Sequence, residues 1–135
     1  MTDYTNFTFA TDADGIALVI WDMPDRSMNV FTEGVMDELE KIIDRVAGDG
    51  AIKGAVITSG KESFSGGADL KMLQRMLSLY ADEKAKDPQK AIETLFQHAG
   101  RMNGLFRKLE TSGKPWVSAI NGTCMGGAFE LSLAC

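Results

Sequence analysis

The hydrophobic pattern near the amino-terminal end of the chain predicts two strands. Phe7 and Phe9 fall on one face of residues 6–11, and residues 16–21 are apolar throughout. Alternation with a period of two is typical of a half-buried strand, and a short continuous apolar run is typical of a buried one. An Asp-Gly pair just before the second run favours a tight turn. We therefore expect a β-hairpin at the start of a sheet.

Apolar residues then recur every three or four positions, which predicts a helix that begins after Thr32 and ends at the glycines of residues 48–50. Thr is a common N-cap, and Gly is common where helices end. An apolar run at 54–58 predicts the next strand. The order strand–helix–strand favours a parallel βαβ unit and an α/β fold. The apolar face of this helix comprises Val35, Met36, Leu39, Ile42, Ile43 and Val46.

Helical periodicity covers most of the remaining chain. We expect two helical pieces between Leu70 and Leu109, separated by a charged connector at residues 82–90, and then a strand at 115–120. An apolar helix should follow from the glycines near residue 126 and continue to Cys135. A chain end inside a buried helix is unusual, because termini commonly lie at the surface. We therefore expect residues 1–135 to be the amino-terminal part of one domain that is truncated after Cys135.

Charge and composition restrict the function classes. The net charge is −5, which argues against a nucleic-acid surface, and no apolar run is long enough to span a membrane. Cys124 and Cys135 form no CxxC pair, and with a single histidine they predict no metal site. Two such cysteines are typical of reduced thiols. We therefore expect a cytoplasmic protein.

Two glycine-rich segments each follow a predicted strand and open a predicted helix. The first contains Gly66 and Gly67, with the helix expected from about Ala68, and the second contains Gly126 and Gly127. Exposed amides at helix starts stabilise negative charge, and ligands of open α/β sheets bind beyond the carboxyl ends of strands. Taken alone, the first pair is more typical of a tight connection. The recurrence of the pattern favours two amide donors that face one crevice.

Several polar and flexible side chains have two interpretations. Glu130 is the one ionisable group in an apolar run, so it is either an ordinary first-turn acid or an acid–base group beside an oxyanion hole. Arg26 is either a solvated loop charge or a phosphate ligand. Met72 and Met76 either fill the core or line a flexible acyl pocket. His98 is more typical of a partly exposed helical residue than of a catalyst.

The two glycine-rich motifs carry a resemblance to a known family. Phe-Ser-Gly-Gly-Ala-Asp-Leu at 64–70, Ala-Ile-Asn-Gly at 119–122 and Gly-Gly-Ala-Phe-Glu-Leu-Ser-Leu-Ala-Cys at 126–135 resemble the crotonase (enoyl-CoA hydratase/isomerase) superfamily. The resemblance implies an α/β crotonase-like fold, a spiral of ββα units, of which this chain holds the amino-terminal portion only. Pro24 and Met28-Asn29 are most similar to the amino-terminal hydratase part of multifunctional fatty-acid β-oxidation enzymes.

The resemblance also implies roles for individual residues. The backbone amides of Ala68 and Gly127 would form an oxyanion hole for an acyl-CoA thioester, and Glu130 would be the first of two catalytic glutamates. The second glutamate of the family lies beyond Cys135. Residues 70–109 would line or cap the acyl pocket. Residues implied to bind substrate are Arg26, Ser65, Gly66, Gly67, Asp69, Leu70 and Gly126.

The implied reaction is the addition of water across the 2,3 double bond of an enoyl-CoA. Hydration needs no cofactor, and NAD would be needed only if a 3-hydroxyacyl-CoA dehydrogenase domain follows. The resemblance further implies a homo-oligomer or a complex with a thiolase subunit. Two alternatives stay open, namely Δ3-Δ2-enoyl-CoA isomerisation or other enolate chemistry on the same fold, and a fragment that binds acyl-CoA without catalysis.

Overall fold

A β-hairpin opens the fold, as the sequence predicts. The structure is a computed structural model that describes residues 4–135, so the first three residues of the expected 1–135 domain lie outside it. Strand β1 (Phe7–Thr11) pairs antiparallel with strand β2 (Ile16–Trp21). In the turn, Oδ1 of Asp12 accepts hydrogen bonds from the amides of Asp14 at 3.0 Å and Ile16 at 2.8 Å. The turn is therefore built by a local side chain.

Helix α1 (Glu33–Gly48) connects β2 to strand β3 (Gly54–Ser59), which pairs parallel with β2. The predicted βαβ unit is thus confirmed. The Thr32 hydroxyl caps α1 by accepting from the amide of Val35 at 3.2 Å. All six residues of the predicted apolar face are buried. Strand β4 (Trp116–Ser118) adds parallel to β3, so the sheet order is β1-β2-β3-β4.

Helices α2 (Leu70–Lys84) and α3 (Pro88–Glu110) lie between β3 and β4, and helix α4 (Gly127–Ala134) follows β4. The expected start of α2 at Ala68 is wrong, because Ala68 is extended and forms a parallel bridge with Phe31. The expected connector at 82–90 shrinks to residues 85–87, since Asp87 caps α3 with Pro88 in its first turn. The predicted strand at 115–120 is paired only over residues 116–118.

Aromatic rings fill the core between the sheet and the helices. Trp21 contacts Phe31 with a centroid distance of 4.8 Å, and Phe31 contacts Phe106 of α3 at 5.6 Å. The ring of Phe64, just after β3, is nearly perpendicular to that of Trp21, with a centroid distance of 6.3 Å. Aromatic pairs at these distances add to the stabilisation that comes from burial. Phe31 therefore anchors the segment between β2 and α1 in the core.

The terminal helix is less buried than the sequence suggests. In α4, Gly127, Ala128 and Leu131 are buried, whereas Phe129 is 51% and Leu133 is 72% exposed. The expectation of a fully buried apolar helix is therefore wrong. The helix packs against the core by one face only, and its apolar composition continues around to the solvent face.

Candidate active site

The two glycine-rich segments lie directly against each other. Ser65 forms a parallel bridge with Cys124, in which the Ser65 amide donates to the Thr123 carbonyl at 3.0 Å and the Met125 amide donates to the Ser65 carbonyl at 3.1 Å. Gly67 has a φ of +87°, and a Cβ there would lie 2.7 Å from the Met125 carbonyl oxygen. Both the positive φ and the close backbone approach require glycine at this position.

Backbone pairing with Phe31 directs the amide of Ala68 away from the core. The Phe31 amide donates to the Gly67 carbonyl at 2.8 Å, and the Asp69 amide donates to the Phe31 carbonyl at 2.9 Å. Because N–H groups of successive residues in extended backbone point to opposite sides, the Ala68 N–H points to the side opposite Phe31. Within residues 4–135 this N–H donates to no acceptor.

The second free amide is that of Gly127, the first residue of α4. The Ala128 amide donates to Met125 and the Glu130 amide donates to Gly126, each at 3.1 Å, but the buried Gly127 N–H has no acceptor in the described chain. A Cβ on Gly67 would lie 3.3 Å from the Gly127 nitrogen, so the two loops bring both donors to one place. A buried amide without an acceptor is uncommon in native proteins. This pair of amides is suited to bind an oxygen that carries negative charge.

Both amides border a cavity of about 810 Å³ that lies between α2, α3 and the start of α1. Five residues of the predicted site line this cavity, namely Arg26, Ala68, Asp69, Gly127 and Glu130. The structure thus brings together the two predicted amide donors and the predicted acid. Met72 and Met76, for which an acyl-pocket position was one interpretation, also line it, as does the exposed His98.

Glu130 lies one turn into α4, and its side chain is exposed toward the cavity. It forms no hydrogen bond or ion pair with any residue in the 4–135 range. The carboxylate is not buried among its apolar neighbours, because the face of α4 that carries Glu130 borders the open cavity. A carboxylate that is free of protein partners is able to hold a water molecule or exchange a proton.

Asp69 and Arg26 bind each other across the rim of the cavity. Nη1 of Arg26 donates to Oδ2 of Asp69 at 2.8 Å, and Oδ1 of Asp69 accepts from the Met72 amide at 2.9 Å as the N-cap of α2. The Met72 amide and the Arg26 guanidinium hold the pKa of the buried Asp69 carboxyl below its usual value. Both side chains therefore connect protein segments, and they still border the cavity.

The remaining predicted substrate-binding residues do not line the cavity. Ser65 is fully buried, and its hydroxyl accepts from the Gly67 amide at 3.1 Å. The Gly66 amide donates to the carbonyl of Asn29 at 2.9 Å. Gly126, with a φ of +51°, forms the turn before α4, and Leu70 is 73% exposed on the outside of α2. The first three belong to the two loops, and Leu70, at the start of α2, is not among the residues that line the cavity.

Sequence reasoning missed the residues that hold these loops together. The fully buried Asn29 side chain accepts from the Met23 amide at 3.0 Å and donates to the Trp21 carbonyl at 2.8 Å and to the Ser59 hydroxyl at 2.9 Å. An Asn beside a Pro-containing loop signals a turn and does not identify these partners. Met102 of α3 lies against Gly127, since a Cβ there would be 2.8 Å from the Met102 sulfur. Helical periodicity predicts a helix at this position and cannot identify that contact.

Basic side chains also border the cavity. Arg101 of α3 is paired with Asp37 of α1. Lys71 and Arg75 of α2 line the cavity without an ion pair to any part of the chain that the structure describes. The cavity is therefore lined both by apolar side chains and by two cations on one helix that form no ion pair.

The described residues offer no other kind of centre. No cluster of three His, Cys, Asp or Glu side chains between Tyr4 and Cys135 has the arrangement of a metal site. No helix in that range is long and apolar enough to cross a membrane.

Comparisons with known proteins show the family and the fold of this chain. The profile of the enoyl-CoA hydratase/isomerase family matches residues 11–135. The fatty acid oxidation complex subunit alpha of Shewanella frigidimarina is 39% identical over 130 residues, which cover 96% of this chain and 16% of that protein. The chain thus spans about a sixth of the length of this curated relative.

Solved structures show the fold. A probable enoyl-CoA hydratase from Mycobacterium smegmatis matches with a TM-score of 0.77 and 24% identity, over 96% of this chain and 46% of that one. An enoyl-CoA hydratase from Shewanella pealeana matches with a TM-score of 0.76 and 20% identity, over 95% of this chain and 43% of that one. The chain therefore has the fold of the amino-terminal portion of a crotonase and belongs to the enoyl-CoA hydratase/isomerase family.

Proposed function

We propose that this chain forms the thioester-binding part of an enoyl-CoA hydratase site, with Ala68 and Gly127 as the oxyanion hole. The observation that carries the proposal is the pair of acceptor-free amides at one cavity, with the carboxylate of Glu130 on the same helix as Gly127. The two N–H groups would bind the thioester carbonyl oxygen. They would bind it more tightly as it becomes an enolate oxygen, because preorganised donors stabilise charge that develops in the transition state.

Glu130 acts in this proposal as the group that orients and activates water. The water oxygen bonds to the β-carbon, Glu130 takes one of its protons, and the electrons of the double bond move toward the carbonyl oxygen at the amides. The enolate then takes a proton at the α-carbon to give the 3-hydroxyacyl-CoA. In the family that proton comes from a second glutamate, whose position lies beyond Cys135.

The rest of the cavity fits the two ends of an acyl-CoA. Met72, Met76 and Leu95 offer an apolar surface for an acyl chain, and flexible Met side chains adapt to its shape. Lys71 and Arg75 would meet the phosphate groups of coenzyme A, because unpaired cations on one helix bind such groups without breaking an existing ion pair. No cofactor takes part in hydration, since the substrate itself carries the coenzyme A.

The family relationship also supports a wider context for the chain. Since curated relatives are subunits alpha of fatty acid oxidation complexes, we place this chain in the hydratase part of such a subunit in the cytoplasm. A dehydrogenase domain that uses NAD, a homo-oligomer and a thiolase partner belong to the same proposal. The isomerase alternative uses the same two amides. Its product has a shifted double bond and no hydroxyl group, so product analysis distinguishes isomerisation from hydration.

A titration of the purified chain with crotonyl-CoA tests the binding step. We expect the amide nitrogen–proton signals of Ala68 and Gly127 to shift most, because their N–H groups gain an acceptor. Free coenzyme A is the matched control, since it has no thioester carbonyl and should leave both signals in place. Unchanged Ala68 and Gly127 signals at saturating crotonyl-CoA would contradict the oxyanion assignment.

Glu130→Gln tests the chemical step in the full polypeptide that carries this chain. We expect crotonyl-CoA hydration to fall by about 10²- to 10⁴-fold with the binding affinity little changed, because Gln cannot exchange the proton. Glu93→Gln is the control, since Glu93 is exposed on α3 away from the cavity. Near-normal turnover in Glu130→Gln would contradict the assignment of Glu130 as the group that activates water.

A further inference from the structure

The cavity has two ends, and the candidate oxyanion hole lies at one of them. Asp69, the residue after Ala68, caps α2, so this helix begins beside the first amide. Met102 of α3 lies against Gly127, because a Cβ on Gly127 would be 2.8 Å from the Met102 sulfur. Both helices therefore pass close to the two amides at this end of the cavity.

The two helices run side by side away from the amides. The link between them comprises only residues 85–87, and such a short link makes consecutive helices antiparallel neighbours. The cavity-lining residues of α2 extend from Lys71 to Tyr80, and those of α3 extend from Asn103 back to Thr94. This part of the cavity is therefore a cleft between α2 and α3, with Tyr80 and Thr94 at its far end.

Polar side chains join the two helices at the far end of the cleft. Glu83 of α2 forms an ion pair with Lys90 of α3 at 3.4 Å. Hydrogen bonds from the Thr94 hydroxyl and the Lys90 ammonium group hold the pKa of the Glu83 carboxyl below its usual value. One turn beyond Tyr80, the Lys84 ammonium group lies 5.6 Å from the centre of the Tyr80 ring. An alkyl chain that passed this point would have to separate paired polar groups, which is costly.

Apolar side chains occupy the inner part of the cleft between its two ends. Met72 and Met76 are four residues apart and therefore share one side of α2. Both are half-buried, as is Leu95 of α3, whereas the lining residues Arg75 and His98 are exposed. The polar lining residues thus face the solvent side of the cleft, and the apolar ones offer a path for an alkyl chain.

The helices also set the length of this path. An α-helix rises about 1.5 Å per residue, so the cleft extends about 12 Å along α3 from Met102 to Thr94. The same rise gives about 14 Å along α2 from Lys71 to Tyr80. An extended alkyl chain advances about 1.3 Å per carbon, because its bonds of about 1.5 Å zigzag. The path therefore accommodates about ten carbons.

We propose that Tyr80 and Thr94 end the acyl-binding cleft, so that the site selects enoyl-CoA substrates with acyl chains of up to about ten carbons. The inference rests on the proposed function, because it takes the thioester carbonyl to be bound by Ala68 and Gly127. Each methylene group that enters the cleft leaves water, which strengthens binding. A methylene group beyond the polar end gains no such contact.

Titration of the chain with trans-2-enoyl-CoA thioesters, from crotonyl-CoA to the C16 homologue, tests the length limit. The dissociation constant, read from the Ala68 and Gly127 amide signals, should fall about two- to fourfold per methylene group up to about C10 and then stay level. Ala99→Phe should move this plateau to shorter chains, because Ala99 is an exposed residue that lines the middle of the cleft. Tyr80→Ala should move it to longer chains by opening the far end. Gln97→Phe is the matched control, since Gln97 is exposed on α3 outside the cavity lining, and it should leave the plateau in place.

Two results would overturn the length limit alone. A dissociation constant that keeps falling to C16 in the native chain would show that long acyl chains pass Tyr80 and Thr94. A plateau that neither Ala99→Phe nor Tyr80→Ala moves would show that the acyl chain lies elsewhere. In both cases crotonyl-CoA still shifts the two amide signals, so the proposed function stands. If crotonyl-CoA shifts neither signal, the proposed function and the length limit are both wrong.

Discussion

Nη1 of Arg26 donates a hydrogen bond to Oδ2 of Asp69 at 2.8 Å, which joins the loop after β2 to the first turn of α2. Asp69 is the residue after Ala68, and its own amide is bonded to the Phe31 carbonyl. The ion pair, the helix cap and the bridge to Phe31 therefore all act on the backbone next to one of the two free amides. This relationship leads to the first two predictions.

Asp69→Ala should destabilise the fold by about 1–3 kcal/mol, because it removes the α2 N-cap and leaves Arg26 without its partner. Asp69→Asn should cost about 1 kcal/mol, because Asn still accepts from the Met72 amide but carries no charge. Urea unfolding of both variants measures the difference. Equal free energies of unfolding for the two variants would show that the cap contributes nothing.

The lowered pKa of Asp69 predicts an acid-dependent loss of stability. A carboxyl whose pKa is lower in the folded protein adds stability above its unfolded pKa of about 3.9, and this stability is lost as the pH falls through the folded value. Asp69→Asn has no such group. The stability gap between the native chain and this variant should therefore be larger at pH 7 than at pH 3. A gap that stays constant across this range would contradict the assignment.

Gly67→Ala should be far more disruptive than Gly113→Ala. Both glycines have a positive φ, +87° and +82°, so each alanine should cost about 1–2 kcal/mol in backbone strain. A Cβ on Gly67 also meets the Met125 carbonyl oxygen at 2.7 Å, whereas nothing lies within 4 Å of a Cβ on Gly113. The clash should add about 1–3 kcal/mol. Calorimetric unfolding of both variants separates strain from clash, and similar values would argue against close contact of the two loops.

Gly127→Ala and Met102→Ala should be coupled. The new methyl group would lie 2.8 Å from the Met102 sulfur, so Gly127→Ala alone should cost about 1–3 kcal/mol. When Met102 is already alanine, this clash disappears. The double variant should therefore be more stable than the sum of the two single effects by about 1 kcal/mol. A double-mutant cycle in urea measures the coupling, and simple additivity would show that Met102 does not pack on Gly127.

Much of the fold followed from local patterns. The hairpin, the α1 face and the order of elements were predicted correctly, because each depends on side chains a few residues apart. The errors lie where distant residues intervene. Helix α2 begins at Leu70 and not at Ala68, because Phe31 holds Ala68 in extended backbone. Phe129 and Leu133 of α4 are exposed rather than buried, because the core contacts only the face of this helix that carries Ala128 and Leu131.

The sequence by itself determined the family, the identity of the two glycine-rich loops and the presence of one acid after the second loop. These properties depend on residue types and their spacing along the chain. Only the tertiary structure decided that the Ala68 and Gly127 amides are left without acceptors beside one cavity, and that Asp69 and Arg26 bind each other. The physical reason is that the direction of a backbone N–H and the partner of a charge depend on hydrogen bonds between segments that are remote in sequence.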